Sequence, residues 1–361
     1  MTAKAYMWYS GATDVTGTKL AEALKIDHGR EKPTGKEVII GWGAKTSEPV
    51  QLPKTSQVLN HPDAIRINRN KLGSLDKMLK AGVSVAPFIP AEDIADIGKK
   101  KAGVALPVIG RTKYHQGGKG FWNCPTMTQV KLAVKEGAQY FQNLIEVVDE
   151  FRYHVFGDEV IYAVKKTKRT TAEMEEAYIR HEMDRQLALA EKNGDTLDKA
   201  TMEVFLRRQA KKFAQDGANA LIRSNRLGWK FVKVKSVDKK LKEESIKALK
   251  ALGLEFGAVD GCIDADGKPW IFEVNTGPGL EQSPFDAYVE AFRKRLTKIA
   301  SGGTSSPKKA TTQKVGGTIP TTTDKKSDLQ RQLDMAKNMV ANAEDDTEVE
   351  TLKKVFSKMF G

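Results

Sequence analysis

The stretch from residue 254 to residue 281, LEFGAVDGCIDADGKPWIFEVNTGPGLE, constrains the fold more than any other. It reads as two apolar strands around Asp266-Gly267, a strong two-residue hairpin signal. Such a turn sets Ala265 opposite Lys268 and, further along the ladder, Asp260 opposite Glu273. Side chains alternate along a strand, so Asn275 shares the face of Glu273 while Phe272 and Val274 take the other. Like charges directly opposite are destabilising, so something must offset them: a shared proton, an Arg or Lys, or a cation. Two carboxylates beside an amide oxygen suit a hard divalent ion, Mg²⁺ or Mn²⁺. Zinc is disfavoured, because no His or Cys cluster lies nearby. The competing reading is a partly exposed hairpin end with solvated acids, and a four-residue turn would shift the register and separate the pair. The strand breaks at Gly277-Pro278-Gly279, where backbone can approach a ligand closely.

Upstream, residues 1–100 read as a small α/β domain: strand, small-residue turn, a helix from near Thr16, and a second strand ending in Gly41-Trp42-Gly43. A helix is expected over NRNKLGSLDKMLKAGV, residues 68–83. The glycine spacing is wrong for a dinucleotide fingerprint. Residues 101–300 form a second domain. VALPVIGRTKYHQGGKGFWNC reads as two strands around a glycine loop, and a hairpin turns at Gly157-Asp158. The segment before residue 140 fits helix or strand. Residues 171–220 are charged and helical, GWKFVKVK is a strand, and Ile246, Leu249 and Leu252 share one face of an amphipathic helix. From Ser301 the composition turns to Gly, Ser, Thr, Pro and Lys, which reads as a flexible linker over 301–326. The tail, 327–361, carries helical stripes through Leu329, Leu333 and Val340, then Leu352, Phe356 and Met359.

Net charge is +13, which admits an acidic partner (nucleotide, nucleic acid or acidic peptide) or simply a solvated lysine-rich surface. No apolar run reaches membrane-spanning length and no secretory signal opens the chain, so a cytoplasmic protein is expected, with Cys124 and Cys262 as reduced thiols.

Asp260 followed by FEVNTGPG resembles the metal-binding end of the ATP-grasp superfamily, in its carboxylate–amine ligase branches. The Asn-Thr-x-Pro-Gly continuation is similar to D-alanine–D-alanine ligases and ribosomal-protein glutamate ligases. HPDAIRINRNKLGSLDKMLKAGV with HQGGKG is similar to bacteriophage-encoded members, which would place the protein in a host cytoplasm. The resemblance implies an α+β chain: an ATP-grasp fold, two α+β subdomains gripping ATP, preceded by the small α/β domain. The helical insertion at about 171–220 and the tethered helical tail are additions to it.

The resemblance also implies residue roles. Asp260, Glu273 and Asn275 would hold Mg²⁺ or Mn²⁺ bridging ATP phosphates. Arg111 and the loop of Gly117, Gly118, Lys119 and Gly120 would cover those phosphates, glycines letting backbone N–H groups approach them. Gln142, Asn143, Leu144 and Ile145 would line the adenine, although relatives carry Glu where this chain has Asn143. Glu150 would take the ribose hydroxyls. Arg152 and Lys165 would approach the phosphates or an acyl phosphate. Arg223, with Asn225 and more weakly Arg226, would hold the transferred phosphoryl group or the acceptor, and Thr276 and Gly277 would approach substrate.

The implied activity is an ATP- and Mg²⁺-dependent ligase that activates a carboxylate as an acyl phosphate and forms an amide with an amine. The substrate would be a small molecule, an amino acid, a peptide or a protein. His115 and His154 are acid–base candidates or polar neighbours of loop and sheet. The alternative is a non-catalytic nucleotide-binding scaffold that uses the basic stretch from Arg207 to Lys240 and the tail. Retention of all three metal residues favours the enzyme. The tail helices would serve self-association or a protein partner, or fold back on the core.

Overall fold

The computed structural model describes residues 4–11, 14–115, 120–219 and 221–301. The glycine-loop residues Gly117, Gly118 and Lys119, and the linker and tail readings beyond Ser301, lie outside the described residues.

The first sheet comprises β1 (Ala5–Trp8), β2 (Asp27–Gly29), β3 (Val38–Gly41) and β4 (Gln57–Leu59), with every pair parallel in the order β2-β1-β3-β4. Val38, Ile39 and Ile40 of β3 are all fully buried, as expected of a parallel strand covered on both faces. Helix α1 (Val15–Leu24) links β1 to β2. The single helix expected over 68–83 is instead the end of α2 (Pro62–Arg69) followed by α3 (Lys71–Lys80). Asn70 divides them: it adopts extended backbone and accepts from Gly73 N, so it caps the second helix.

The second sheet holds β5 (Phe88–Pro90), β6 (Val108–Arg111), β7 (Phe121–Cys124) and β8 (Tyr140–Asn143), antiparallel in the order β5-β8-β6-β7. The ambiguous segment before it is a helix, α4 (Met127–Lys135), started by a Thr126/Gln129 capping box.

The third sheet, β9 (Val147–Phe156), β10 (Glu159–Lys168), β11 (Trp229–Lys233), β12 (Phe256–Asp264) and β13 (Pro269–Asn275), is antiparallel in the order β11-β10-β9-β12-β13. Between β10 and β11 the chain makes a helical hairpin of α5 (Thr171–Asn193) and α6 (Lys199–Asp216). Helix α7 (Lys239–Leu252) packs on β12 and β13, and α8 (Gln282–Ala300) packs on α1 and β10. Among the described residues no helix is long and apolar enough to cross a membrane.

Cores are shared between the first and third sheets. One unites Trp8, Ile39, Ile65 and Leu75 with Tyr153, Val259, Ile271 and Val274. Another joins Met7, Leu20 and Ile40 to an aromatic cluster in which Trp42 stacks on Phe256 at 5.6 Å and meets Tyr288 edge-on at 5.3 Å. Two buried asparagines tie the same elements by hydrogen bonds. Asn60 Nδ2 donates to Phe256 O at 2.8 Å while its Oδ1 accepts from Glu255 N and Phe256 N. Asn68 Nδ2 donates to Val274 O at 2.8 Å, and its Oδ1 accepts from Ser74 Oγ.

Asn60 also sits in the left-handed region, at φ 58°. Asn60→Ala therefore loses its hydrogen bonds and strains the backbone, at a cost of about 3 kcal/mol. Asn60→Gly relieves the strain but leaves the Glu255 and Phe256 backbone groups unpaired, and recovers only part of that loss. Urea unfolding of both variants measures the difference; full recovery in Asn60→Gly would show that the hydrogen bonds contribute nothing.

Candidate active site

The β12–β13 hairpin brings Asp260 and Glu273 face to face, by a route different from the expected one. The turn is not two residues but three: Asp264 N donates to Lys268 O, Gly267 N donates to Asp264 O, and Gly267 takes φ 72°. That loop leaves the ladder one residue out of step, with Ile263 opposite Pro269 and Gly261 opposite Ile271. A bulge at Phe272 then restores the register, and Asp260 pairs with Glu273. Without the bulge Glu273 would pair with Val259 and point into the apolar core. With it, Ile271 and Val274 stay buried while Glu273 and Asn275 share the face of Asp260.

Two side-chain cations offset the repulsion. Arg152 on β9 lies directly across from Asp260 and grips it in a fork, Nε to Oδ1 and Nη2 to Oδ2, both at 2.7 Å. Lys71, the first residue of α3, places Nζ 3.1 Å from Glu273 Oε2. Burial alone would raise the Asp260 carboxyl, but Arg152 and Lys166 bring it down to about 2. At Glu273 burial likewise opposes ionisation, as does Asp260, but with Lys71 and His115 acting together the carboxyl is lowered. Arg152 is pushed above its ordinary value, chiefly by Asp260.

A second polar row follows on the same face. Glu150, opposite Cys262, is 7% exposed, bonded to Lys166 Nζ, and 3.8 Å from Arg223 Nε. Arg223 also donates to Val147 O at 2.7 Å and lies over the Trp229 ring. Burial raises the Glu150 carboxyl against these partners and pushes the Cys262 thiol up to about 12. Lys165 is corrected by this geometry. It pairs across from Phe151, on the opposite face from Arg152 and Asp260, and bridges to Asp149. The lysine that faces the row is Lys166.

The second sheet contributes from the other side. Arg111 Nη2 lies 2.6 Å from His115 Nδ1, and its Nε is buried without a hydrogen-bond partner among the described residues. Burial lowers the Arg111 guanidinium; Tyr140 and Glu273 act the other way, so Glu273 is within electrostatic reach of this sheet. Burial, then Arg111, lower the His115 pKa to about 4, and burial, then Arg152, lower that of His154 to about 4. Both imidazoles are neutral at pH 7, so neither arrives as a protonated acid. Gly120 sits at φ 59° against Thr112, where a Cβ would come within 2.5 Å of Oγ1.

The Asn143 side chain anchors a loop: it accepts from Ala105 N and donates to Gly103 O, and the Asn143 N–H donates to Pro87 O. The N–H of Leu144 is engaged as well, donating to Pro107 O at 3.1 Å. Asn225 turns away from the carboxylates, its Oδ1 accepting from Arg169 at 2.6 Å. Thr276 and Gly277 serve docking: Thr276 O accepts from Gly43 N at 3.0 Å, and a Cβ on Gly277 would fall 3.0 Å from Gly43 Cα. The Asn275 side chain accepts from Gly277 N at 3.2 Å, which aligns it beside Glu273.

The donor set fits a hard divalent cation. Three oxygen-bearing side chains share one face, and Arg152 and Lys71 stand where counter-charge is needed. Lys71 and Lys166 escaped the sequence reading. Lys71 is distant in sequence, and Lys166 differs from Lys165 only by strand parity.

The lowered Asp260 pKa sets an acid limit. A depressed carboxylate stabilises the fold fully above its ordinary value of 3.8 and loses that contribution as pH falls through about 2. The loss is about 2 kcal/mol. In Asp260→Asn this acid step is missing, and stability at pH 7 falls by about 3 kcal/mol because Arg152 is left unpaired. Urea unfolding from pH 2 to pH 7 checks both; an unchanged acid step would reassign it to another carboxylate.

No family model matches the sequence, and no curated protein matches it. Solved structures do. D-alanine–D-alanine ligase from Bacillus anthracis superposes with a TM-score of 0.52 and 11% identity, over 82% of this chain and 98% of that one. The ATP-grasp ligase PsnB, complexed with minimal precursor, Mg and ADP, gives 0.51 and 13% over 81% and 97%. N5-carboxyaminoimidazole synthetase from Staphylococcus aureus, complexed with ADP, gives 0.50 and 13% over 81% and 78%. At these identities the likeness is one of fold. The chain has the ATP-grasp fold.

Proposed function

We propose that the protein is an ATP- and Mg²⁺-dependent carboxylate–amine ligase, releasing ADP and phosphate. The observation that carries this reading is the Asp260–Glu273 pair, opposed on one face with Asn275 beside it and held ionised by Arg152 and Lys71. Asp260, Glu273 and Asn275 would hold Mg²⁺ there, which would supply positive charge against the nucleotide phosphates.

The chain's own groups supply the rest. Arg111, with its buried Nε lacking a partner, offers a donor to a phosphate from the second sheet. Arg152 and Lys166 lie on the face where negative charge shifts during transfer. Arg223, 3.8 Å from Glu150, would hold the activated carboxylate. Transfer of the γ-phosphoryl group to a substrate carboxylate gives an acyl phosphate; an amine displaces phosphate and leaves an amide. No side-chain nucleophile is required, and Cys262, with its thiol pushed up to about 12, is unsuited to be one. Glu150 serves the ribose only if it exchanges Lys166 and Arg223 for hydroxyls, so its first role is to fix those cations. A peptide substrate is in keeping with PsnB, which is complexed with its minimal precursor.

Glu273→Gln should lower ADP release by at least roughly 10²-fold. Lys166→Met should do the same, whereas Lys165→Met, altered on the opposite face, should stay within about twofold of wild type. Coupled ADP assays over amino acids and peptides, followed by product mass, read all three. Full turnover in Glu273→Gln would remove the metal assignment, and equal effects at residues 165 and 166 would remove the facial one.

A further inference from the structure

The reading so far leaves the α5–α6 hairpin without a task. At its base lies a cavity of about 90 Å³, lined by Arg169, Tyr178, His181, Arg185, Phe213 and Arg226 among others. It has room for a side-chain-sized group and none for a nucleotide.

Most of its polar groups are already engaged. Arg169 donates to Asn225 Oδ1 and to Trp229 O, Arg185 donates to Glu182, and Tyr178 OH donates to Gln209 Oε1. Two are not. His181 Nε2 is buried with no hydrogen-bond partner. Arg226 makes no hydrogen bond or ion pair among the described residues, although its neighbours do. Three arginines against Glu182 leave the lining positive, so an anion is favoured. Glu182 in the wall penalises a doubly charged phosphate more than a singly charged carboxylate. The Tyr178 and Phe213 rings, 5.2 Å apart, add an apolar wall suited to a short methylene stem.

The cavity is linked to the polar face through Trp229. Arg169 follows β10, three residues beyond Lys166, which is roughly 10 Å of extended chain. Trp229 O accepts from Arg169 on one side, and the Trp229 ring lies 4.7 Å from the Arg223 guanidinium on the other.

We propose that this cavity is a recognition pocket for an acidic side chain of a peptide substrate. The carboxylate accepts from Arg226 and from His181 Nε2, in the tautomer that carries its proton there, while the stem lies on Tyr178 and Phe213. The cavity stands on its own geometry; the identity of its occupant as substrate rests on the ligase reading.

The test uses the full chain and two labelled hexapeptides, acetylated and amidated: Ala-Glu-Ala-Ala-Glu-Ala and its glutamine counterpart. Fluorescence anisotropy should show the glutamate peptide binding about tenfold tighter. Arg226→Gln should erase that preference, and His181→Phe, which fills the cavity, should abolish binding. Both variants should keep the wild-type urea midpoint, which reports that they are folded, and the wild type should bind MgADP by calorimetry. Equal affinity for the two peptides, or an undiminished preference in Arg226→Gln, overturns the proposal while MgADP binding stands. Displacement of the peptide by a single-stranded oligothymidylate overturns it in favour of a nucleic-acid groove. Failure of the wild type to bind MgADP would instead sink the ligase reading.

Discussion

Two carboxylates cannot face each other on adjacent buried strands without help, and much of this molecule is arranged around that constraint. Asp260 is 4% exposed and takes its counter-charge from β9, so the order of the third sheet is what neutralises it. Glu273 takes its counter-charge from outside the sheet altogether, from Lys71 at the start of α3. That lysine is in place because Asn70 caps α3 and because Asn68, just before the cap, is bonded to Val274 next to Glu273. The first domain is thus more than a neighbour of the site; it holds one of the site's charges.

The same dependence explains why the interface between the first and third sheets is so closely fitted. Gly43 and Gly277 meet backbone to backbone where a single methyl group would crowd them. Trp42 fills the space beside them, against Phe256, Tyr288 and Phe292. An interface sealed by large rings and two glycines transmits displacement rather than absorbing it, since close-packed interiors yield little. Movement of the first domain would therefore shift Lys71 and the strand end that carries Asn275.

The sequence made the acid pair legible because alternation and a Gly-containing turn are local rules. It did so through two errors that cancel: the turn is one residue longer than Asp266-Gly267 suggests, and Phe272 bulges. Lys165 was named through the resemblance alone, and strand alternation turns it to the face opposite Arg152 while Lys166 takes the site face. Arg111 could be read as a site cation because its strand and loop are contiguous. Lys71 could not, because its contact with Glu273 is set by how two domains dock and no local pattern reports that. Asn143 and Asn225 are hard to read for a related reason. An amide looks the same in a sequence whether it meets a ligand or holds a loop, as Asn143 holds residues 103–105.

The bulge has a consequence for how such a chain can change. Loop tips are where insertions and deletions are ordinarily harmless. Here the tip of the β12–β13 hairpin and the acid pair are one mechanical unit. Deleting a residue at the tip would turn Glu273 inward if the turn kept its three-residue geometry and the strand its bulge; losing the bulge while keeping the tip would do the same. Only a paired change preserves the charge geometry, so a surface turn far from any ligand is under the same constraint as the site it serves.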